Sequence, residues 1–184
     1  MTSSDTRVAI IGAGPAGLAA ARHLAMRNIP YAQFERHSGV GGIWDIENPG
    51  TPMYESAHFI SSKSRSGYYG FPMPDVFPDY PGQRLILGYT NAFADAYGLR
   101  DKIRFSTGIS EVQESGDRWK LKTQTGEVLE ASHVICATGH TWSPNIPDLP
   151  GSFSGDIMHS VAYRDAALFR GKRVLVVGAG NSEN

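Results

Sequence analysis

Gly12, Gly14 and Gly17 stand in the spacing G-x-G-x-x-G, and a carboxylate follows at Glu35. Those residue types at that spacing suit the binding of a dinucleotide. Gly12 permits a tight turn, Gly14 lets the main chain approach a pyrophosphate, and Gly17 allows a helix to pack closely on a strand. A carboxylate at Glu35 can accept hydrogen bonds from an adenosine ribose. It disfavours a ribose 2′-phosphate, so this first site suits FAD or NAD better than NADP. Pro15 and Ala16 inside the turn and Arg36 after the acid belong to the same candidate site. The elements that must hold these residues flank them. Arg7–Val8–Ala9–Ile10–Ile11 reads as a short buried parallel strand, an Ala/Leu-rich helix runs from Leu18 to Arg27, and Tyr31–Ala32–Gln33–Phe34 is a second strand that delivers Glu35. The helix N-terminus then presents free N–H groups and a positive dipole to the phosphates.

The pattern returns near the C-terminus. Val174–Leu175–Val176–Val177 reads as another apolar strand and leads into Gly178–Ala179–Gly180–Asn181–Ser182. A parallel strand without its crossover helix would be poorly buried, so we read the chain as the N-terminal part of a longer two-dinucleotide protein. The alternative is a domain that ends on a redundant strand. At the third glycine position stands Glu183, whose carboxylate would press on the helix–strand contact and repel phosphate, consistent with a damaged or frameshifted terminus.

Between the two turns, Ser38 to Gly42 is a Gly-rich loop and Ile43 to Gly82 a long Pro/Gly/aromatic stretch with little periodicity. Segments of that kind commonly wrap a ligand. Gln83 to Tyr97 has helical spacing, with Leu85, Ile86, Tyr89, Phe93 and Tyr97 forming an apolar stripe and Gly98 suited to end it. Ile109–Gln113, Trp119–Thr123 and Val128–Ala131, separated by Ser115–Gly116–Asp117 and Thr125–Gly126–Glu127, read as a three-stranded meander. His133 to Ala137 is a further buried strand, and Asn145 to Gly155 a Pro-rich connector.

The 184 residues are 41% hydrophobic and 19% charged, with a net charge of −1. That is an ordinary globular composition, and the net charge gives no reason to expect nucleic acid or an anionic membrane surface as a partner. The first residues lack the basic and apolar regions of a signal peptide, and no apolar run approaches a membrane span. We therefore expect a cytoplasmic protein. A single cysteine, Cys136, excludes an intramolecular disulfide and a CxxC pair within the chain. That argues against a thioredoxin-reductase-like flavoenzyme, unless a longer version carries the pair.

Taken together, these landmarks resemble the flavin-containing monooxygenases and, more distantly, the Baeyer–Villiger monooxygenases. The first landmark is the glycine turn with Glu35. The second is Gly41–Gly42–Ile43–Trp44, similar to the family's GGxW, where the indole can offer a flat apolar face to the cofactor. Trp44 alone would read as a core tryptophan. The third is Ala137–Thr138–Gly139, which looks like the family's ATG and would leave room for a flat cofactor at the switch point of the sheet. Alone it is an ordinary strand-ending turn. The fourth runs from Phe153 through Gly155 and His159 to Tyr163, similar to FxGxxxHxxx(Y/F). Tyr163 followed by Arg164 favours the N- and S-oxygenating family over the Baeyer–Villiger version, which has tryptophan there.

The resemblance implies an α/β protein: a Rossmann-like FAD-binding domain, a parallel sheet plus the β-meander, over 1–150. A connector follows over 151–170, and 171–184 begins a second Rossmann-like, NADP-binding domain. FAD would be held by Gly12, Gly14, Pro15, Ala16, Gly17, Glu35, Arg36, Gly42, Ile43, Trp44, Thr138 and Gly139, and NADP by Gly178, Gly180, Asn181 and Ser182. It also implies an NADPH-dependent monooxygenase that takes O₂ and places one oxygen atom on a soft nucleophilic N or S of a small organic substrate, through a C4a-(hydro)peroxyflavin. The cofactor carries that chemistry, so neither a catalytic triad nor a metal cluster is needed, and His159 is expected to link domains rather than move protons. Alternatives are a Baeyer–Villiger-type enzyme, or a truncated flavin-binding remnant without turnover. One position departs from the family. Where its stretch Y-x-S-x-x-x-N-S-S-K places asparagine near the flavin, this chain has Ile60, which cannot donate a hydrogen bond. That leaves Ser61 or the main chain to substitute, or a different use of the flavin.

Overall fold

In the computed structural model, which describes residues 8–178, seven strands form two sheets. β1 (Val8–Ile11), β2 (Tyr31–Phe34), β3 (Ile103–Arg104) and β7 (His133–Cys136) make a parallel sheet in the order β3-β2-β1-β7. β4 (Ile109–Ser115), β5 (Arg118–Thr123) and β6 (Val128–Ala131) form an antiparallel meander, with Gly116 and Gly126 at positive φ in its two turns. The fold is therefore α/β, as the sequence implies.

The four residues of β1 are all buried because both faces of the strand are covered. Val8 and Ile10 point into a core with Leu18 and Ala21 of helix α1 (Pro15–Met26) and Phe93 and Ala94 of helix α3 (Gln83–Ala96). Ala9 and Ile11 point the other way, against Leu121 and Ala131 of the meander. This two-sided apolar demand is what a central parallel strand imposes.

Several elements differ from the sequence expectation. Helix α1 starts at Pro15 rather than Leu18. Proline is suited to the first helical position, where its missing N–H is no loss and its φ is already helical. On α3 the buried stripe holds Ile86, Tyr89 and Phe93, but Leu85 is exposed, because the residue before Ile86 is turned about 100° away. The two-residue strand β3 has no periodicity to betray it and exists by pairing with Gln33 and Phe34. Strand β7 is only half-buried, with His133 and Cys136 exposed, since it lies at the sheet edge and pairs with β1 alone. Val174–Val177 are exposed and form no strand among the described residues. A strand needs a neighbour for its backbone groups, and among the described residues no strand pairs with them. Gly180, Asn181, Ser182 and Glu183 fall outside the described residues.

Residues 43–82 begin in a 3-10 turn (Gly42–Trp44) and contain one short α-helix, α2 (Lys63–Ser66). A main-chain bond from Phe59 to Pro81 at 3.0 Å ties the stretch to itself, and one from Gln83 to Ala57 at 2.8 Å fastens it to α3. Tyr68 also stacks on Phe93 with ring centroids 3.6 Å apart.

Candidate functional site

A cleft of about 510 Å³ opens at the C-terminal ends of β1, β2 and β7, where ligands of open α/β sheets bind. Gly12, Gly14, Pro15 and Ala16 of the turn form one wall, and Glu35 and Arg36 after β2 form the next. Gly42, Ile43 and Trp44 adjoin the turn, and Thr138 and Gly139 line the cleft where the chain leaves β7. Gly17 is buried behind the turn. Three of the four sequence landmarks thus converge on one cavity, and the stretch from Phe153 to Tyr163 does not line it.

The three turn glycines are required for different reasons. An added Cβ at Gly12 would lie 2.4 Å from the Ala137 carbonyl oxygen, and Gly12 has a φ of +107°. At Gly17 it would lie 2.1 Å from the Gly12 carbonyl oxygen. Both are demanded by the protein's own packing. Gly14 is not: its Cβ would meet only the Gly42 Cα at 3.6 Å, an ordinary contact. Gly14 and Gly42 lie against each other as bare backbone on the wall of the cleft, next to a helix whose first N–H groups have no intrahelical acceptor. That arrangement accommodates a phosphate chain.

Glu35 is 5% exposed. One carboxylate oxygen accepts the Ala13 N–H at 2.6 Å, and the other accepts the His37 N–H at 2.9 Å. A carboxylate offers about four acceptor positions, so two bonds hold the loops together and capacity remains for a ligand's hydroxyls. Beneath the turn lies Gln33, fully buried, its side-chain N–H donating to the Gly12 carbonyl at 2.8 Å. Nothing in the sequence singled out Gln33, since a glutamine within an apolar strand carries no motif. Thr107, Gly108, Ile109 and Gln124 also line the cleft from the meander side without a sequence signal. Trp142 lines it too, and its place three residues after Gly139 could have marked it.

Other candidates lie elsewhere. Ile60 is 63% exposed, Ser61 shares a 2.6 Å hydroxyl–hydroxyl bond with Ser66, and neither lines the cleft. Their neighbour Phe59 does reach the wall, edge-on to Trp44 at 4.9 Å. His159 caps a short turn, its Nδ1 accepting the Val161 N–H at 3.1 Å. Tyr163 meets Tyr54 edge-on at 4.8 Å, and Arg164 donates to the Thr51 carbonyl at 3.4 Å, so this stretch is fastened to the loop beyond Trp44. Gly178 is exposed. Among the described residues no three His, Cys, Asp or Glu side chains gather where they could hold a metal, and no helix is long and apolar enough to cross a membrane.

A family model described as Flavin-binding monooxygenase-like matches residues 5–184. Indole-3-pyruvate monooxygenase YUCCA1 of Oryza sativa subsp. japonica is 34% identical over 175 residues, covering 94% of this chain and 42% of that protein. Dimethylaniline monooxygenase (N-oxide-forming) 2 of Macaca mulatta is 33% identical over 192 residues, covering 96% of this chain and 36% of its own. Among solved structures, OTEMO in complex with FAD and NADP superposes with a TM-score of 0.73 at 25% identity, over 97% of this chain and 35% of that one. The chain thus spans about two-fifths of the length of the curated relatives.

Proposed function

Since this chain belongs to the flavin-binding monooxygenase-like family, we propose that its cleft holds FAD within an NADPH-dependent monooxygenase. That enzyme places one oxygen atom of O₂ on a soft nucleophilic nitrogen or sulfur of a small organic molecule. The observation that carries the FAD assignment is the pair Gly14 and Gly42. The protein's packing leaves room for a Cβ at Gly14, so the bare backbone of the two glycines serves a group that lies over them in the cleft.

The residues present fit the cofactor. Gly12 and Gly17 hold the turn, the first N–H groups of α1 meet the pyrophosphate, and Glu35 takes the ribose hydroxyls. Trp44, braced by Phe59, gives an apolar wall to the flavin end, and Thr138 and Gly139 leave space on the opposite side. Bound FAD, reduced by NADPH, supplies the activation of O₂; the protein orients it and keeps water from it. For the acceptor atom, the family's N-oxide-forming relative and Tyr163 in place of tryptophan support nitrogen and sulfur over a ketone. We assign 1–150 to the FAD-binding unit, 151–170 to the connector and 171–184 to the start of an NADP-binding unit, with Gly178, Gly180, Asn181 and Ser182 at its pyrophosphate. Turnover then belongs to a chain of the relatives' length rather than to residues 1–184 alone.

The test is Gly14→Val in the full-length enzyme. A β-branched side chain there should leave folding intact, fill the cleft and abolish the flavin absorbance that co-purifies with the parent. Undiminished flavin would overturn the assignment. Steady NADPH consumption by residues 1–184, above a free-flavin background, would overturn the assignment of turnover.

A further inference from the structure

Arg36 enters the cleft from the loop after β2, and its guanidinium is held from two sides. Its Cζ sits 4.0 Å from the centroid of the Trp142 ring, and its Nε–H donates to His37 Nε2 at 3.0 Å. Trp142 is itself fixed, its indole N–H donating to the Thr138 carbonyl at 2.9 Å. The imidazole of His37 completes the cluster 5.6 Å from the indole. The loops leaving β2 and β7 are thus joined across the mouth of the cleft by one stacked cation. The two terminal nitrogens of Arg36 make no hydrogen bond among the described residues, so two donor groups of a fixed guanidinium stay available at the Glu35 end.

We propose that Trp142 and His37 are positioning residues that hold Arg36 as a pre-oriented donor to the phosphate and ribose oxygens of the bound dinucleotide. This rests on the reading of the cleft as an FAD site. An arginine loose in solvent must give up side-chain freedom when it binds an anion, whereas one already stacked on an indole has given it up beforehand. The device is also pH-sensitive. His37 can accept from Arg36 only as a neutral ring; once protonated, both its nitrogens are donors and the bond is lost. Burial pushes the His37 pKa down and so does the Arg36 charge, while Glu35 and Asp45 pull it up, with a net lowering. The latch is therefore closed at neutral pH and opens in acid.

The intact enzyme, stripped of flavin, is titrated with FAD and the dissociation constant is read from flavin fluorescence. A stacked cation of this kind is worth about threefold to tenfold in affinity, so Trp142→Ala should weaken FAD by that factor while Trp142→Phe stays near the parent. Because Trp142 acts through Arg36, adding Trp142→Ala to Arg36→Ala should cause no further loss. Arg36→Lys keeps the charge but not the planar stack, and on a surface side chain it leaves folding untouched. It should weaken FAD as much as Trp142→Ala does. From about pH 8 to about pH 5 the parent should bind progressively less tightly, and His37→Gln, which keeps an acceptor that does not titrate, should bind with little pH dependence. Parent-like affinity in Trp142→Ala or Arg36→Lys, or losses that multiply in the double variant, would overturn the proposal. Gly14→Val separates the two readings: if it still binds FAD, the cleft assignment fails. If it blocks FAD while Trp142→Ala binds normally, only the latch fails.

Discussion

Residues 8–142 and residues 143–178 are similarly provided with apolar side chains, yet only the first stretch buries them. In the first, Ile10, Leu18, Phe93 and Leu121 are fully enclosed between sheet, helices and meander. In the second, Ile146, Leu149, Phe153, Ile157, Leu168 and Val174–Val177 are all exposed. Its local order comes from capped single turns, at His159 and at Asp165, whose carboxylate accepts the Ala167 N–H at 2.7 Å. Its hold on the rest includes Tyr163 and Arg164. The lesson is that an apolar pattern expresses a need for burial without naming the surface that meets it. The cleft is built wholly from the stretch whose need is met internally.

The sharpest way to break this contrast is Gly17→Val. A side chain there collides with the Gly12 carbonyl, which is main chain and cannot swing aside. The loss should fall in the exceptional class above about 4 kcal/mol, read as failure to fold or as a collapsed denaturant midpoint. Phe93→Ala comes next. The ring is fully buried and packs on Tyr68, Phe71 and Tyr97, so its removal should destabilise by about 3–5 kcal/mol. The matching change in the second stretch, Ile157→Ala, should stay within about 0.5 kcal/mol. Equal losses in urea unfolding would erase the distinction between the two regions.

Tyr163→Ala should act locally. Removing an edge-on aromatic pair forfeits about 0.5–1.5 kcal/mol, expressed as faster proteolysis across residues 143–170 with the global midpoint unchanged. The smallest effect concerns Glu127, which ties the meander's second turn to β3 through Arg104 at 2.5 Å. The hydrogen bond from Arg104 holds the Glu127 carboxyl below its ordinary range. A carboxylate lowered in the folded state stabilises it above the unfolded pKa, and that contribution is lost as pH falls through the folded value. Glu127→Gln should therefore flatten slightly the acid limb of a stability–pH curve. The difference should shrink with added salt, since both groups are largely solvent-exposed.

What could be read from the sequence followed how local each cause is. The glycine turn, Glu35, the meander with its two glycine turns, and the α3 stripe apart from Leu85 rest on spacing within a few residues, and each is found in its expected place. β3 and Gln33 escaped because their reasons lie across the sheet: two residues have no period, and a buried amide matters only once the Gly12 carbonyl is above it. β7 looked like a buried strand because its composition is apolar, while its exposure follows from standing at an edge, which composition does not encode. At the site, the three landmarks that line the cleft could be read singly, but that Ile60 lies outside the cleft and Trp142 within it depended on loops without periodicity.

The pairing of β7 with β1 also has a temporal side. The turn, α1 and β2 form one contiguous run near the start of the chain, whereas Thr138, Gly139 and Trp142 come after the whole meander. Domains emerge from the ribosome N-terminus first, and contacts between distant residues form late because a long loop must close. A nascent chain can therefore shape the glycine turn early, yet it has no complete pocket until β7 has threaded in beside β1. Cofactor uptake becomes a report on completion of this unit, and a synthesis arrested before residue 133 would yield chains that flavin cannot rescue.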